Sequence, residues 1–252
     1  GPALPDGGLD VQFESVGFSY PTGEPALRDV NVHVDVGSRL AVVGETGSGK
    51  TTFAKLVTRL LDPTRGRVKV GGVAIDEVPF RDLRAKVAFV PQEGFLFDDS
   101  IAANVRYGKP GATDEEVRAA FRDLELEGWV DALPNGVDTQ VGERGGQLSA
   151  GERQLVAMVR AWMAAPELLV LDEATSAVDP SLEVKLRRAI ERLTSGRTSI
   201  TIAHRLSTAE AADEVLVFDR GLLVEQGDHD ALLAASGVYA ALHADWERGT
   251  TE

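Results

Sequence analysis

RLAVVGETGSGKTTFAKLVTRLL, Arg39 to Leu61, decides the fold. Leu40–Val43 is a short apolar run of the kind that forms a buried strand, and TFAKLVTRLL behind it has the apolar spacing of an amphipathic helix. Between them, Gly44–Thr51 reads GETGSGKT and satisfies the pattern G-x-x-x-x-G-K-[ST]. A glycine-rich loop from a strand into a helix presents successive backbone N–H groups to an anion, with the helix dipole behind them. The expected nucleotide-binding residues are Gly44, Glu45, Thr46, Gly47, Ser48, Gly49, Lys50, Thr51 and Thr52. Lys50 supplies a point charge at the β- and γ-phosphates, and the Thr51 hydroxyl is a ligand for Mg²⁺.

Working outward, the same alternation of apolar strands and amphipathic helices recurs. ELLVLDEA (167–174) and TSITIAH (198–204) read as buried strands separated by the helical SLEVKLRRAIERL (181–193). LLVLDE places Asp172 and Glu173 at the end of a strand, where ligands bind in an open parallel sheet. Asp172 is then the metal-side carboxylate and Glu173 the general base for an attacking water. EVLVFDRGLLVEQG (214–227) predicts a hairpin turning at Arg220-Gly221, and DALLAAS and VYAALHADWE predict two closing helices. Near the start, VQFESVGFSY (11–20), VNVHVDV (30–36) and RGRVKVGGVAID (65–76) alternate as antiparallel strands do, and KVAFVPQ (86–92) is a further strand closed by proline.

Between residues 96 and 165 the pattern turns helical. TDEEVRAAFRDLEL (113–126) opens with Thr113 and Glu116 in capping-box spacing, and SAGERQLVAMVRAWMAA (149–165) is a second helix. The expected architecture is one α/β domain over 1–252, with a mostly parallel sheet in a P-loop NTPase, RecA-like core. An antiparallel β subdomain lies at the N-terminus. The core takes residues 9–95 and 166–252, and 96–165 forms an inserted helical subdomain.

Composition limits the function. The chain has 40 acidic and 26 basic residues, a net charge of −14, which disfavours nonspecific nucleic-acid binding. No cysteine is present, which removes disulfides, thiolate metal sites and cysteine nucleophiles. The four histidines stand far apart with no paired metal-ligand spacing. No apolar run reaches the roughly 20 residues of a membrane span.

The remaining motifs select a family. LSAGERQ (148–154) is similar to the signature sequence LSGGQ of ABC transporters; Gln92 in VPQEGF stands where that family has its Q-loop. SAVD (176–179) resembles its D-loop, His204 in TIAHRLST its switch histidine, and Tyr20 in FSY the aromatic that stacks on adenine. GERGGQ, with Glu143 and Arg144, resembles the X-loop of the exporter branch. With order and spacing in agreement, the chain resembles an exporter nucleotide-binding domain from about residue 9 to 245.

The resemblance implies ATP and Mg²⁺ as ligand and cofactor, with Thr51, Gln92 and Asp172 around the metal. Lys50, Gln92, Glu173 and His204 carry the chemistry, and Tyr20 the base. It implies a second such domain docked head to tail, with Leu148, Ser149, Ala150, Gly151 and Glu152 covering the partner's ATP. Asp179, Glu143 and Arg144 then serve the interface and coupling. Transmembrane domains complete the transporter, placing this domain at the cytoplasmic face of the membrane. A soluble ABC-type ATPase of DNA repair or translation is the competing reading. Two signature positions depart from the family: Ala150 replaces glycine and Glu152 replaces glutamine. Alanine is harmless if position 150 is helical and damaging if it needs positive φ. The departures leave an identical and a different partner both open.

Overall fold

The structure, a computed structural model, describes residues 1–174 and 179–249; residues 176–178 of the D-loop-like SAVD lie outside the described residues. By contact density the chain divides into two units: Gly1–Val87, Glu167–Asp172 and Gly196–Glu252, and Ala88–Pro166 with Glu173–Ser195. The elements in chain order are β1 (Val11–Ser19), β2 (Pro25–Val34), β3 (Arg39–Val43), α1 (Lys50–Val57), β4 (Arg65–Val70), β5 (Val73–Ala74), α2 (Phe80–Lys86) and β6 (Val87–Val90). Then come α3 (Ile101–Arg106), α4 (Asp114–Asp123), α5 (Glu127–Asp131), α6 (Ala150–Ala164), β7 (Leu168–Asp172) and α7 (Pro180–Thr194). The chain closes with β8 (Thr198–Ile202), α8 (Leu206–Ala211), β9 (Glu214–Asp219), β10 (Leu222–Gly227), α9 (His229–Ala234) and α10 (Val238–Gly249).

In the first unit, strands run in the order β10-β9-β3-β8-β7. β3 pairs in parallel with both β8 and β9, β7 pairs in parallel with β8, and β10 turns back antiparallel on β9. Every residue of β7 and β8 is buried; β7 accordingly reads as the unbroken apolar run Leu168–Leu171, whereas β8 buries Thr198, Ser199 and Thr201 between its isoleucines. β10 alternates exposed and half-buried residues instead, as an antiparallel strand with one wet face does.

The other sheet is antiparallel, in the order β2-β1-β4-β5. β2 begins at Pro25, five residues before the alternation VNVHVDV; proline is tolerated there because β2 is an edge strand. The β1–β2 register shifts near Ser15 and Asp29, both with positive φ, and the displaced Ser15 N–H donates to Asn31 Oδ1 at 2.9 Å. These are β-bulges, which no alternation pattern announces. Helix α1 is held between the two sheets by Phe53, whose ring lies 4.6 Å from Phe13 of β1 and 5.3 Å from Phe218 of β9.

The second unit is mostly helical, with α6 packed on α3 and α7. Thr113 caps α4 by accepting from the Glu116 N–H, but Glu116 does not complete a box: its carboxylate is taken by Lys109 at 2.6 Å. Among the described residues no helix is long and apolar enough to cross a membrane.

Candidate functional site

The Gly44–Thr52 loop is built around contacts that exclude a side chain. A Cβ at Gly44, where φ is +156°, would meet Ser48 Oγ at 2.5 Å and the Phe218 carbonyl at 2.6 Å. Gly49, with φ of 109°, is the N-cap of α1 and offers no side-chain cap, so the mouth of the helix stays open to a ligand. Among the described residues, buried Ser48 Oγ has no hydrogen-bond partner, and it faces Gly44 across the loop. Glu45, Thr46, Gly47 and Thr51 are exposed along its outer face, and Thr52 is buried beneath it.

Lys50 is only 8% exposed, and its ammonium donates to the Gly44 carbonyl at 2.5 Å. Burial lowers its pKa from the ordinary lysine value, and the charge of Asp172 partly opposes that shift. Burial outweighs the charge of Asp172 here, so a phosphate group beside the ammonium would favour its charged form. Asp172 ends β7, and its Oδ1 lies 3.4 Å from Nε2 of His204, just beyond β8. Parallel pairing aligns Asp172 with Ile202, so these two side chains leave the same end of the sheet. Tyr20, just past β1, is 45% exposed with its ring edge-on to Phe18 at 4.8 Å; it is not a core aromatic.

In the second unit, the organising side chain is one that sequence reading passed over. Gln154, fully buried on α6, donates to the carbonyls of Pro91 (3.1 Å) and Gln92 (3.3 Å) and accepts from the Ala174 N–H (3.0 Å). It therefore ties the signature helix to the residue that follows Glu173 and to Gln92. Glu173 itself is fully buried. Three bonds to a single carboxamide explain why glutamine stands at a core position of a helix.

The signature segment resolves the two departures. Ala150 is the first residue of α6 and is not among the positive-φ residues, so alanine fits there without strain. Ser149 is the N-cap: its Oγ accepts from the Glu152 N–H at 3.2 Å, and Glu152 Oε1 accepts from the Ser149 N–H at 3.0 Å. The other carboxylate oxygen, Oε2, accepts from Trp129 Nε1 at 3.3 Å. Ser149 keeps its hydroxyl proton to donate outward, and Gly151 is buried in the first turn. Ahead of it, Glu143 and Arg144 are exposed on a short 3₁₀ turn, and Arg144 is held at φ 52°. Asp179 is the N-cap of α7, accepting from the Leu182 N–H at 2.9 Å, with Pro180 at the first helical position.

Directly after Gln92, Phe95, Phe97 and Tyr107 form an exposed aromatic cluster, with Phe97 5.1 Å from Phe95 and 4.2 Å from Tyr107 between ring centres. It is held rigidly. Buried Asn104 bonds the Phe97 N–H (2.8 Å) and carbonyl (3.0 Å), and Arg160 donates to the Phe95 carbonyl at 2.8 Å.

Comparison with known proteins identifies the family. A family model described as ABC transporter matches residues 27–176. An ABC transporter ATP-binding protein of Bacillus subtilis is 44% identical over 92% of this chain and 39% of its own length. An ATP-dependent lipid A-core flippase of Chromobacterium violaceum is 44% identical over 96% of this chain and 42% of its own. A fatty acid ABC transporter ATP-binding/permease protein of Mycobacterium bovis is 44% identical over 94% and 38%. Among solved structures, a bacterial Atm1-family ABC exporter with ATP bound superposes with a TM-score of 0.90 at 42% identity, covering 100% of this chain and 44% of that one. The chain thus spans less than half the length of these relatives.

Proposed function

This chain belongs to the ABC transporter family as an exporter-type ATP-binding domain, and from that premise we propose that it works as one half of a head-to-tail ATPase pair that powers export. The observation carrying this reading is that one chain has two separate helix mouths suited to phosphate, at Gly49–Lys50 and at Ser149–Gly151. One mouth holds the chain's own nucleotide. The other presents a hydroxyl and a helix N-terminus to the nucleotide of a second domain.

Each residue then has a task. Tyr20 offers its exposed face to adenine. Lys50 exchanges the Gly44 carbonyl for phosphate oxygens, which offset the desolvation that burial imposes on its charge. The donor set of Thr51, Gln92 and Asp172 is all oxygen, which suits a hard divalent cation such as Mg²⁺. When bound, that ion neutralises charge on the phosphates. Glu173 takes the proton of the attacking water, and His204 holds the γ-phosphate in line. Asp179, Glu143 and Arg144 transmit the state of the site to neighbouring domains. ATP in the paired interface makes the closed state tight and its hydrolysis releases it, which is the differential affinity that a conformational cycle needs.

The exposed cluster of Phe95, Phe97 and Tyr107 is where the transmembrane part docks, at the cytoplasmic face of the membrane; an exposed aromatic patch of this kind marks an interaction surface. Relatives named as flippase and permease support transport over DNA repair or translation. The test is the dependence of ATPase rate on protein concentration. A composite site predicts a rise steeper than linear at low concentration, abolished by Lys50→Ala. Proportionality from the lowest concentration upward, with monomers observed throughout, contradicts the pair.

A further inference from the structure

Among the described residues, Glu210, His229 and His243 are the one group of three histidine or acidic side chains whose ligand atoms all lie within 4.8 Å of one another. The residues are 19 and 14 positions apart in the chain, which hides them from any spacing pattern. Glu210 comes from α8, His229 from the first turn of α9 and His243 from the middle of α10.

The surroundings suit a metal ion. Nδ1 of His229 meets the hydroxyl of fully buried Tyr239 at 2.5 Å, while its Nε2 faces the Glu210 carboxylate at 3.9 Å. A second-layer hydroxyl on one ring nitrogen fixes the orientation of the imidazole and leaves the other nitrogen to offer its lone pair. The two imidazole rings lie 5.4 Å apart between centres. A second carboxylate, Glu247, stands 3.6 Å from His243 Nδ1. Two imidazoles and two carboxylates together offer nitrogen and oxygen donors to a cation. Nitrogen donors select a borderline transition-metal ion over Mg²⁺ or Ca²⁺.

We propose that Glu210, His229 and His243 bind a divalent transition-metal ion, Zn²⁺ by donor chemistry, as a clasp joining α8, α9 and α10. Ligand atoms about 2.0–2.1 Å from zinc stand about 3.3 Å from each other in a tetrahedral set. Rotation of the half-exposed Glu210 side chain supplies much of that closure. Water fills the fourth position. The clasp stabilises a helical end whose burial is modest: within α10 only Tyr239 is fully buried. None of Glu210, His229 and His243 is among the residues assigned to the nucleotide.

The test is equilibrium dialysis of the nucleotide-free 252-residue chain against Zn²⁺, with metal analysis, and Co²⁺ as the spectroscopic probe. The expected result is one ion per chain, visible d–d bands with Co²⁺, and slower hydrogen exchange along α10 when Zn²⁺ is present. His229→Gln/His243→Gln loses the ion and the bands, and Tyr239→Phe weakens Zn²⁺ binding by about tenfold. Glu210→Gln, at an exposed position where folding is not in question, also weakens it and removes the Zn²⁺-dependent rise in Tm. No ion bound by the parent chain overturns the proposal. So does equal binding by folded Glu210→Gln and His229→Gln/His243→Gln chains.

Discussion

Glu152 and Ser149 cap one helix reciprocally: the carboxylate of Glu152 accepts the Ser149 N–H at 3.0 Å, and the hydroxyl of Ser149 accepts the Glu152 N–H at 3.2 Å. The glutamate that breaks the family's signature thus does something glutamine does less well. Both its oxygens accept, one from Ser149 and one from Trp129. A carboxamide has one acceptor oxygen and serves only one of them.

Glu152→Ala is expected to lower stability by about 1 kcal/mol, the usual value of a cap, with a further contribution from the Trp129 bond. Glu152→Gln falls between parent and alanine. Urea unfolding of the three proteins checks the order. Glutamine more stable than glutamate would contradict the assignment of both bonds.

Ala150 sits in the first turn of α6 with helical backbone. Ala150→Gly, which restores the family's glycine, is expected to cost up to about 1 kcal/mol of stability without raising turnover. A several-fold gain in ATPase rate would mean that the alanine impairs the half-site and would favour a different partner over an identical one.

Among the described residues, fully buried Gln154 bonds to Pro91, Gln92 and Ala174. Gln154→Leu keeps the volume and removes the bonds, costing about 2–4 kcal/mol for the groups left under-satisfied. Because Gln92 and Glu173 adjoin those groups, kcat is expected to fall while the KM for ATP changes little. An unchanged kcat in a folded variant would reduce Gln154 to a packing residue.

Much of this was legible in the chain. The buried parallel strands β3 and β7 read as apolar runs, and the loop at Gly44–Thr51 has a spacing that little else satisfies. The short helices α2, α3, α5 and α8 escaped notice because about two turns are too few for a 3.6-residue period to register. The bulges at Ser15 and Asp29 depend on cross-strand register, which no single strand encodes. Thr113 and Glu116 have capping-box spacing, but Lys109 competes successfully for the glutamate. Gln154 was hidden for a different reason: a glutamine in an amphipathic helix resembles surface until its partners, 62, 63 and 20 residues away, are brought to it.

The aromatic cluster after Gln92 makes a prediction that separates coupling from chemistry. Phe97→Asp in the isolated domain is expected to leave ATP turnover near the parent value, since the ring is exposed. In a polypeptide that includes the transmembrane part, the same change uncouples turnover from transport. Normal transport by the Phe97→Asp protein contradicts docking at this patch.

The central claim, that two chains share each nucleotide, is tested most directly by the mass of Glu173→Gln in the presence of ATP and Mg²⁺. Light scattering is expected to give twice the 26.9 kDa mass of the chain, falling to the single mass when Lys50→Ala is added or ATP is withheld. A Glu173→Gln protein that binds ATP at saturation and remains a single chain at micromolar concentration would contradict it.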